Sequence, residues 1–313
     1  MEIVGCWNGR DFRLSTFGWL IVWQRKGSAL FSRAFSKKVI DMKKEYLVAV
    51  DLEGVHGVLG RAYESLHTGE PDYEKAIENA TEEVNVVVKA LFDGGATLVA
   101  VWDNHGSGKN LDFSKLDSRV IRVENPPMSK YERMSFAKNY AFDGVLYIGY
   151  HAKEGSLNGI LAHTYSSKVI QYYKINGIAV GELEIDSWVA AEYGISPLFC
   201  SSDDICVKQA LAINGNIQTV ITKYGTGRNS GIFREKQDVL KEMYDKALAC
   251  TNLQYKPKKL VFPAQLEVRY TRAEDALKRL EKVHKYGQES EFGEDCHVVI
   301  ATLRSISDLE SFL

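Results

Sequence analysis

The chain has 313 residues, 45% of them hydrophobic, enough for about two domains of roughly 100–200 residues with buried cores, so a largely disordered protein is excluded. Its 39 Lys and Arg against 41 Asp and Glu leave a formal net charge of −2, which gives no global positive field for a nucleic-acid backbone or an anionic bilayer. Five cysteines without a C-x-x-C pair fit neither a disulfide framework nor a zinc ribbon and point to a reducing, cytoplasmic compartment.

Residues 1–41 are basic and aromatic without a clear period. Their apolar run at 17–23 is too short to span a bilayer, and no small-x-small cleavage site follows it directly. The stretch reads as an N-terminal extension outside the fold, ending just before Met42. Residues 46–50 then form a continuous apolar run, the pattern of a strand covered on both faces. Residues 73–92 follow with Ile77, Val84, Val87, Val88 and Leu91 at near-helical spacing, and Asp93-Gly94-Gly95 supplies a stop. Further buried strands are predicted at 96–102, 144–149 and 194–201, and an element around Leu183, Ile185 and Val189 leads into a helix toward Tyr193. Strand, helix, strand in this order implies right-handed crossovers and an α/β fold with a mainly parallel sheet and flanking helices over residues 42–225. The texture changes after about Gly225: a helix at 233–248, a break at Pro257, then strand, helix and strand at 260–270, 273–284 and 297–303. Residues 226–313 thus read as a smaller C-terminal α+β module.

Three of the apolar strands run into metal-ligand residues at their C-terminal ends: Asp51 and Glu53, then Asp103 and His105, then His151. In open parallel sheets that edge binds ligands. Asp51 and Glu53 stand two apart, so extended backbone points both carboxylates to one side. Glu182 is a further candidate. Such a convergence of acids and histidines is costly unless a cation neutralises it. Histidine plus carboxylate without cysteine indicates a catalytic zinc site, with Mn2+ or Co2+ also accommodated. Five candidate ligands exceed the needs of one tetrahedral ion, so two ions per chain sharing a bridging carboxylate are expected.

The strings Val50-Asp-Leu-Glu-Gly54, Trp102-Asp-Asn-His105, Gly149-Tyr-His-Ala152, Ala162-His-Thr164 and Val180-Gly-Glu-Leu183 occur in the order and at the spacing found in the zinc-dependent D-aminopeptidases of the DppA type. Over about residues 45–228 the chain resembles that family. The resemblance implies a dinuclear zinc site with Asp51 bridging and Glu53, His105, His151 and Glu182 completing the shell. It also implies that His163 is the catalytic nucleophile or base and that subunits assemble into a ring-like homo-oligomer. Asn104 stands where the family commonly has a small residue, a departure that bears on the substrate pocket and not on the ligands.

The function expected is metal-dependent removal of an N-terminal residue, D-configured if the resemblance extends to stereochemistry, from short peptides. Lys223 and Arg228 could place a cation near a substrate carboxylate. His56 and His67 lack a partner pattern, and His284 and His297 read as structural. The same metal geometry would serve a phosphoesterase, although no glycine-rich phosphate loop or Lys/Arg cluster lies beside the ligands. A non-catalytic metal-binding scaffold is the alternative from another class. No nucleic-acid or membrane partner is expected.

Overall fold

The computed structural model describes residues 3–7, 10–14, 19–26, 29–36, 43–61, 66–70, 72–124 and 132–313. The chain divides into two units, residues 1–42 and 43–313. In the first, β1 (Ile3–Trp7), β2 (Arg10–Leu14), β3 (Trp19–Lys26) and β4 (Ala29–Ser36) pair in sequential order as an antiparallel sheet. These strands stand where the sequence shows no alternation; what it does carry there is a high share of aromatic and β-branched residues.

The second unit begins with β5 (Glu45–Val50), α1 (Tyr73–Asp93), β6 (Leu98–Asp103), β7 (Ile121–Val123) and β8 (Gly144–Ile148). It continues through β9 (Ile170–Ile175), β10 (Ile178–Val180), α2 (Glu182–Glu192), β11 (Ser196–Asp203), α3 (Asp204–Ile213), β12 (Gln218–Gly227) and β13 (Ser230–Phe233). After α4 (Lys236–Cys250) come β14 (Ala264–Tyr270), α5 (Ala273–Lys285), β15 (Ser290–Phe292), β16 (Val298–Leu303) and α6 (Ile306–Glu310).

Seven strands form one sheet in the order β13-β12-β11-β8-β5-β6-β7, parallel except for the β12–β13 hairpin. The continuous apolar character of β5 follows from its central place. Tyr46, Val48 and Val50 enter the core under α1 and α4, while Leu47 and Ala49 enter the core under α2 and α3. Helix α1 ends where its glycines stand. The amide of Gly94 donates to Ala90 O at 2.9 Å, and Gly95 takes the left-handed conformation, φ +90°, that lets the chain turn back into β6.

A second sheet, antiparallel and in the order β10-β9-β14-β16-β15, packs with α5 and α6 around its own core. The expected break near residue 225 is not where the layers change. β12, β13 and α4 belong to the parallel sheet and its helix layer. The antiparallel sheet, in turn, takes two strands from residues 170–180. The reason is local: Asn176 and Gly177, with φ +51° and +77°, make the tight turn of a hairpin that lies between His163 and Glu182 in sequence and pairs with β14. No described helix is long and apolar enough to cross a membrane.

Candidate metal centre

Strands β8, β5 and β6 are parallel neighbours, so their C-terminal ends share one edge and deliver Asp51, His105 and His151 together. Close backbone approach sharpens the turn after β5. The amide of Asp51 donates to Ile148 O at 2.8 Å and that of Gly54 to Gly149 O at 2.7 Å. Gly149 adopts φ +73°, and a Cβ there would lie 2.1 Å from Asp51 O, so only glycine fits. Glu182 opens α2, whose first turn is stabilised by acidic side chains. Its carboxylate Oε1 accepts the amide of Tyr165 at 2.7 Å, tying the helix to the loop that carries His163.

Two groups of ligand atoms result, Asp51 with Glu53 and His105, and His151 with His163 and Glu182, the atoms of each lying within 4.8 Å of one another. Asp51 faces both: Oδ1 lies 2.8 Å from His105 Nδ1 and Oδ2 lies 3.6 Å from His151 Nε2. Glu53 Oε2 stands 3.3 Å from His105 Nδ1, is buried, and has no hydrogen-bond partner. His151 Nε2 lies 3.2 Å from Glu182 Oε1, and His163 Nε2 lies 3.8 Å from the same oxygen.

The imidazoles are oriented alike. His105 Nε2 contacts Leu66 O at 2.5 Å, His151 Nδ1 contacts Ala152 O at 3.1 Å and His163 Nδ1 contacts Leu161 O at 2.8 Å. An outward N–H to a carbonyl in each case leaves the other nitrogen's lone pair aimed at the cluster, the orientation a metal-binding histidine needs. His163 stacks on His151 with ring centroids 3.9 Å apart and is the least buried of the three, its side chain 15% exposed against 1% for His151.

Burial and mutual charge set the electrostatics. Burial pushes Asp51 up, Glu53 beside it adds to this, and the carboxyl reaches about 7. Burial also opposes the charge on Glu53, but His105 and His151 prevail and hold it well below the usual carboxylate range. Against the cost of burial, Glu53 and Asp51 push His105 up to about 12 and Glu182 pushes His151 up to about 10, while His151 holds Glu182 down at about 2. His163 shifts the other way: burial and then the charge of His151 lower it. A donor set of buried carboxylates and imidazoles, with one carboxylate oxygen unpartnered, fits a bound metal cation.

Behind the ligands lies a polar network that sequence reasoning missed. Arg133 forms a fork with the buried Asp186, its Nη2 reaching Asp186 Oδ2 at 2.9 Å and Asn104 Oδ1 at 2.8 Å. Asn104 Nδ2 donates to Tyr150 OH at 2.8 Å, and Tyr150 OH donates to Asp186 Oδ2 at 2.7 Å. Asn104 adjoins His105, Tyr150 adjoins His151, and Asp186 lies one turn beyond Glu182. The network therefore braces from behind three segments that carry candidate ligands, and Asn104 is one of its nodes.

Several candidates fall outside the site. Lys223 is fully buried and donates to the carbonyls of Glu53, Val55 and Val58 at 2.5, 2.8 and 2.7 Å, so it pins the loop after β5 and does not face a substrate. Arg228 donates to Ala162 O, and its own carbonyl accepts the amide of Leu161 at 2.7 Å; it shapes the loop before His163. Lys223 lies in β12 with its ammonium turned to the carbonyls after β5, and Arg228 stands just past the end of that strand. Asp103 accepts from Asn110 and Leu111 and caps the loop after β6. His56 contacts Arg234 O, whereas His67 lines the pocket beside His105.

Carboxylates and imidazoles grouped in this way at the carboxyl edge of a parallel sheet define the class, an α/β protein with a candidate carboxylate–histidine metal centre. Residues 45–289 match the D-aminopeptidase family, peptidase M55, and the chain belongs to that family. A D-aminopeptidase from Bacillus subtilis (strain 168) is 31% identical over 185 residues, 58% of this chain; the match spans 65% of that relative's length. The solved structure of the Zn-dependent D-aminopeptidase DppA from Bacillus subtilis, a self-compartmentalizing protease, is similar with a TM-score of 0.75 at 22% identity. The match covers 86% of this chain and 94% of that one, and it shows the shared fold.

Proposed function

We propose that the protein is a zinc-dependent aminopeptidase that removes the N-terminal residue, D-configured as in its relatives' activity, from short peptides. The observation that carries this reading is Asp51, whose two oxygens face two separate buried acid–imidazole groups at the floor of one pocket. In this reading Asp51, Glu53 and His105 hold one ion and Asp51, His151 and Glu182 hold a second. Bound there, zinc supplies Lewis-acid polarisation of the scissile carbonyl and stabilisation of the oxyanion.

His163 acts on the substrate. With Nδ1–H donated to Leu161 O, its Nε2 keeps a lone pair directed into the pocket, placed either to take the proton of the attacking water or to attack the carbonyl itself. The pocket measures about 140 Å³, below the roughly 300–1,000 Å³ of typical small-molecule pockets, which suits the terminal residue or two of a short peptide. Assembly into a ring-like homo-oligomer, as the self-compartmentalizing relative suggests, would restrict access in the same sense. A cytoplasmic setting agrees with the cysteine usage.

Zinc-loaded protein assayed against matched D- and L-aminoacyl amides and a phosphate monoester tests the reading. Release of the D-amino acid with about two zinc ions per chain is the expected result. Turnover of the ester alone, or full occupancy and turnover after Asp51→Ala, would overturn it.

A further inference from the structure

The pocket above the carboxylates and imidazoles carries a single primary amine or guanidinium among its described lining residues, Lys168. Three further described cations are engaged elsewhere: Arg133 with Asp186, Arg228 with Ala162 O, Lys223 with three carbonyls. Lys168 is exposed, and its ammonium forms no ion pair among the described residues. Ser166 and Ser167 line the pocket beside it.

The backbone under this side chain is fixed. Tyr165 holds a left-handed φ of +59° while its amide is bound by Glu182. The amide of Ser166 donates to Thr164 O at 2.8 Å, and the amides of Val169 and Ile170 both donate to Ser166 O, after which β9 begins. Lys168 therefore stands five residues beyond His163 on a loop clamped at both ends, with only its own stem free.

The described lining thus combines the carboxylates and imidazoles that would hold zinc with one ammonium and the hydroxyls of Ser166 and Ser167. With zinc held by Asp51, Glu53, Glu182 and the imidazoles those carboxylates would be neutralised, and Lys168 would offer the described lining's ammonium to the carboxylate of a short peptide. A dipeptide spans at most roughly 7 Å at about 3.3–3.6 Å per residue, which suits the small cavity. We propose that Lys168, with Ser166 and Ser167, binds the α-carboxylate of the substrate, making this site selective for very short peptides with a free C-terminus. The proposal rests on the aminopeptidase reading above.

The test compares a D-alanyl dipeptide with its C-terminal amide on the zinc-loaded protein. Wild type should prefer the free acid by about 10- to 100-fold in kcat/KM, the usual range for a hydrogen bond to a charged group. Lys168→Ala should bring the acid-to-amide ratio to about one, mainly through KM, Lys168→Arg should retain part of the preference, and Lys168→Glu should invert it. A wild-type protein that hydrolyses acid and amide equally, or a Lys168→Ala protein that keeps the full preference, overturns the proposal and leaves the activity standing. If wild type hydrolyses neither, the activity reading fails, and calorimetric titration with the same acid and amide decides the carboxylate site: tighter binding of the acid that Lys168→Ala abolishes supports it, and equal binding overturns it.

Discussion

His151 and His163 stack face to face yet differ in reach, and that difference assigns their roles. His151 Nε2 stands between Asp51 and Glu182 and is almost completely buried, whereas His163 Nε2 is farther from Glu182 and nearer the opening. His151→Ala should lose zinc together with activity. His163→Ala should keep its zinc and melting temperature while kcat falls by about 10²–10⁴, the range for a positioned acid, base or nucleophile. Elemental analysis beside steady-state kinetics separates the two; zinc loss in His163→Ala would make it a ligand. Lys223 is the opposite case, a charge with a purely internal task. Its three N–H donors meet three carbonyls, so Lys223→Met strands those oxygens and should cost at least about 3 kcal/mol in urea unfolding. The candidates Asp51, Glu53, His105 and His151 stood out in the sequence because each follows a recognisable apolar strand of the parallel sheet, whereas Glu182 opens α2 and lacks that signal. What Lys223 and Arg228 meet was not legible, because a cation in a strand or just past its end reveals its surroundings only once the order of the sheet is known.

Elements were legible in proportion to how self-contained their signals are. The run at β5 and the glycine stop of α1 speak for themselves, as do the strand, helix and strand of residues 264–303. The β9–β10 hairpin has Asn176-Gly177 at its turn, a signal the sequence reading missed, and its partner β14 lies about ninety positions away, so a boundary drawn along the sequence could not include it. Where elements touch most closely, tolerance is least. Gly149→Ala forces a methyl onto Asp51 O in a left-handed backbone and should lower stability by more than about 2 kcal/mol, with zinc affinity falling as Asp51 shifts. Helix α1 carries a second constraint in Glu83, fully buried, with Oε1 accepting the amide of His56 at 2.7 Å and Oε2 unpartnered. Burial raises its carboxyl to about 7 from an ordinary 4.5. Between those values the unfolded chain has released the proton and the folded chain holds it, so stability falls as pH rises from about 4.5 to about 7 and stays lower above that. Glu83→Gln should remove this component, up to about 3 kcal/mol, visible as a flatter urea-midpoint profile across that window. An unchanged profile would show that the carboxylate is ionised in the folded protein throughout.

At the scale of the whole molecule, the family match begins at residue 45 and the second unit at residue 43, and the described candidate ligands, pocket lining and both sheets of that unit all lie within residues 43–313. Every segment that carries a candidate ligand lies between Asp51 and Glu182, and the braces behind them, Arg133, Tyr150 and Asp186, lie between residues 133 and 186. A chain beginning at Met42 should therefore fold, bind about two zinc ions and keep its kcat, with a melting temperature within a few degrees of the full chain. Sedimentation velocity adds a readout that activity alone lacks. Equal sedimentation per mass of the two forms would place subunit assembly entirely within residues 43–313. If the shortened chain is active but falls to a smaller species, the N-terminal strands are an assembly element, with the edge strands β1 and β4 of their sheet as the physical means. Loss of folding on truncation would instead show that the unit at residues 43–313 depends on the strands that precede it, and would overturn the independence that its closed set of sheets and cores implies.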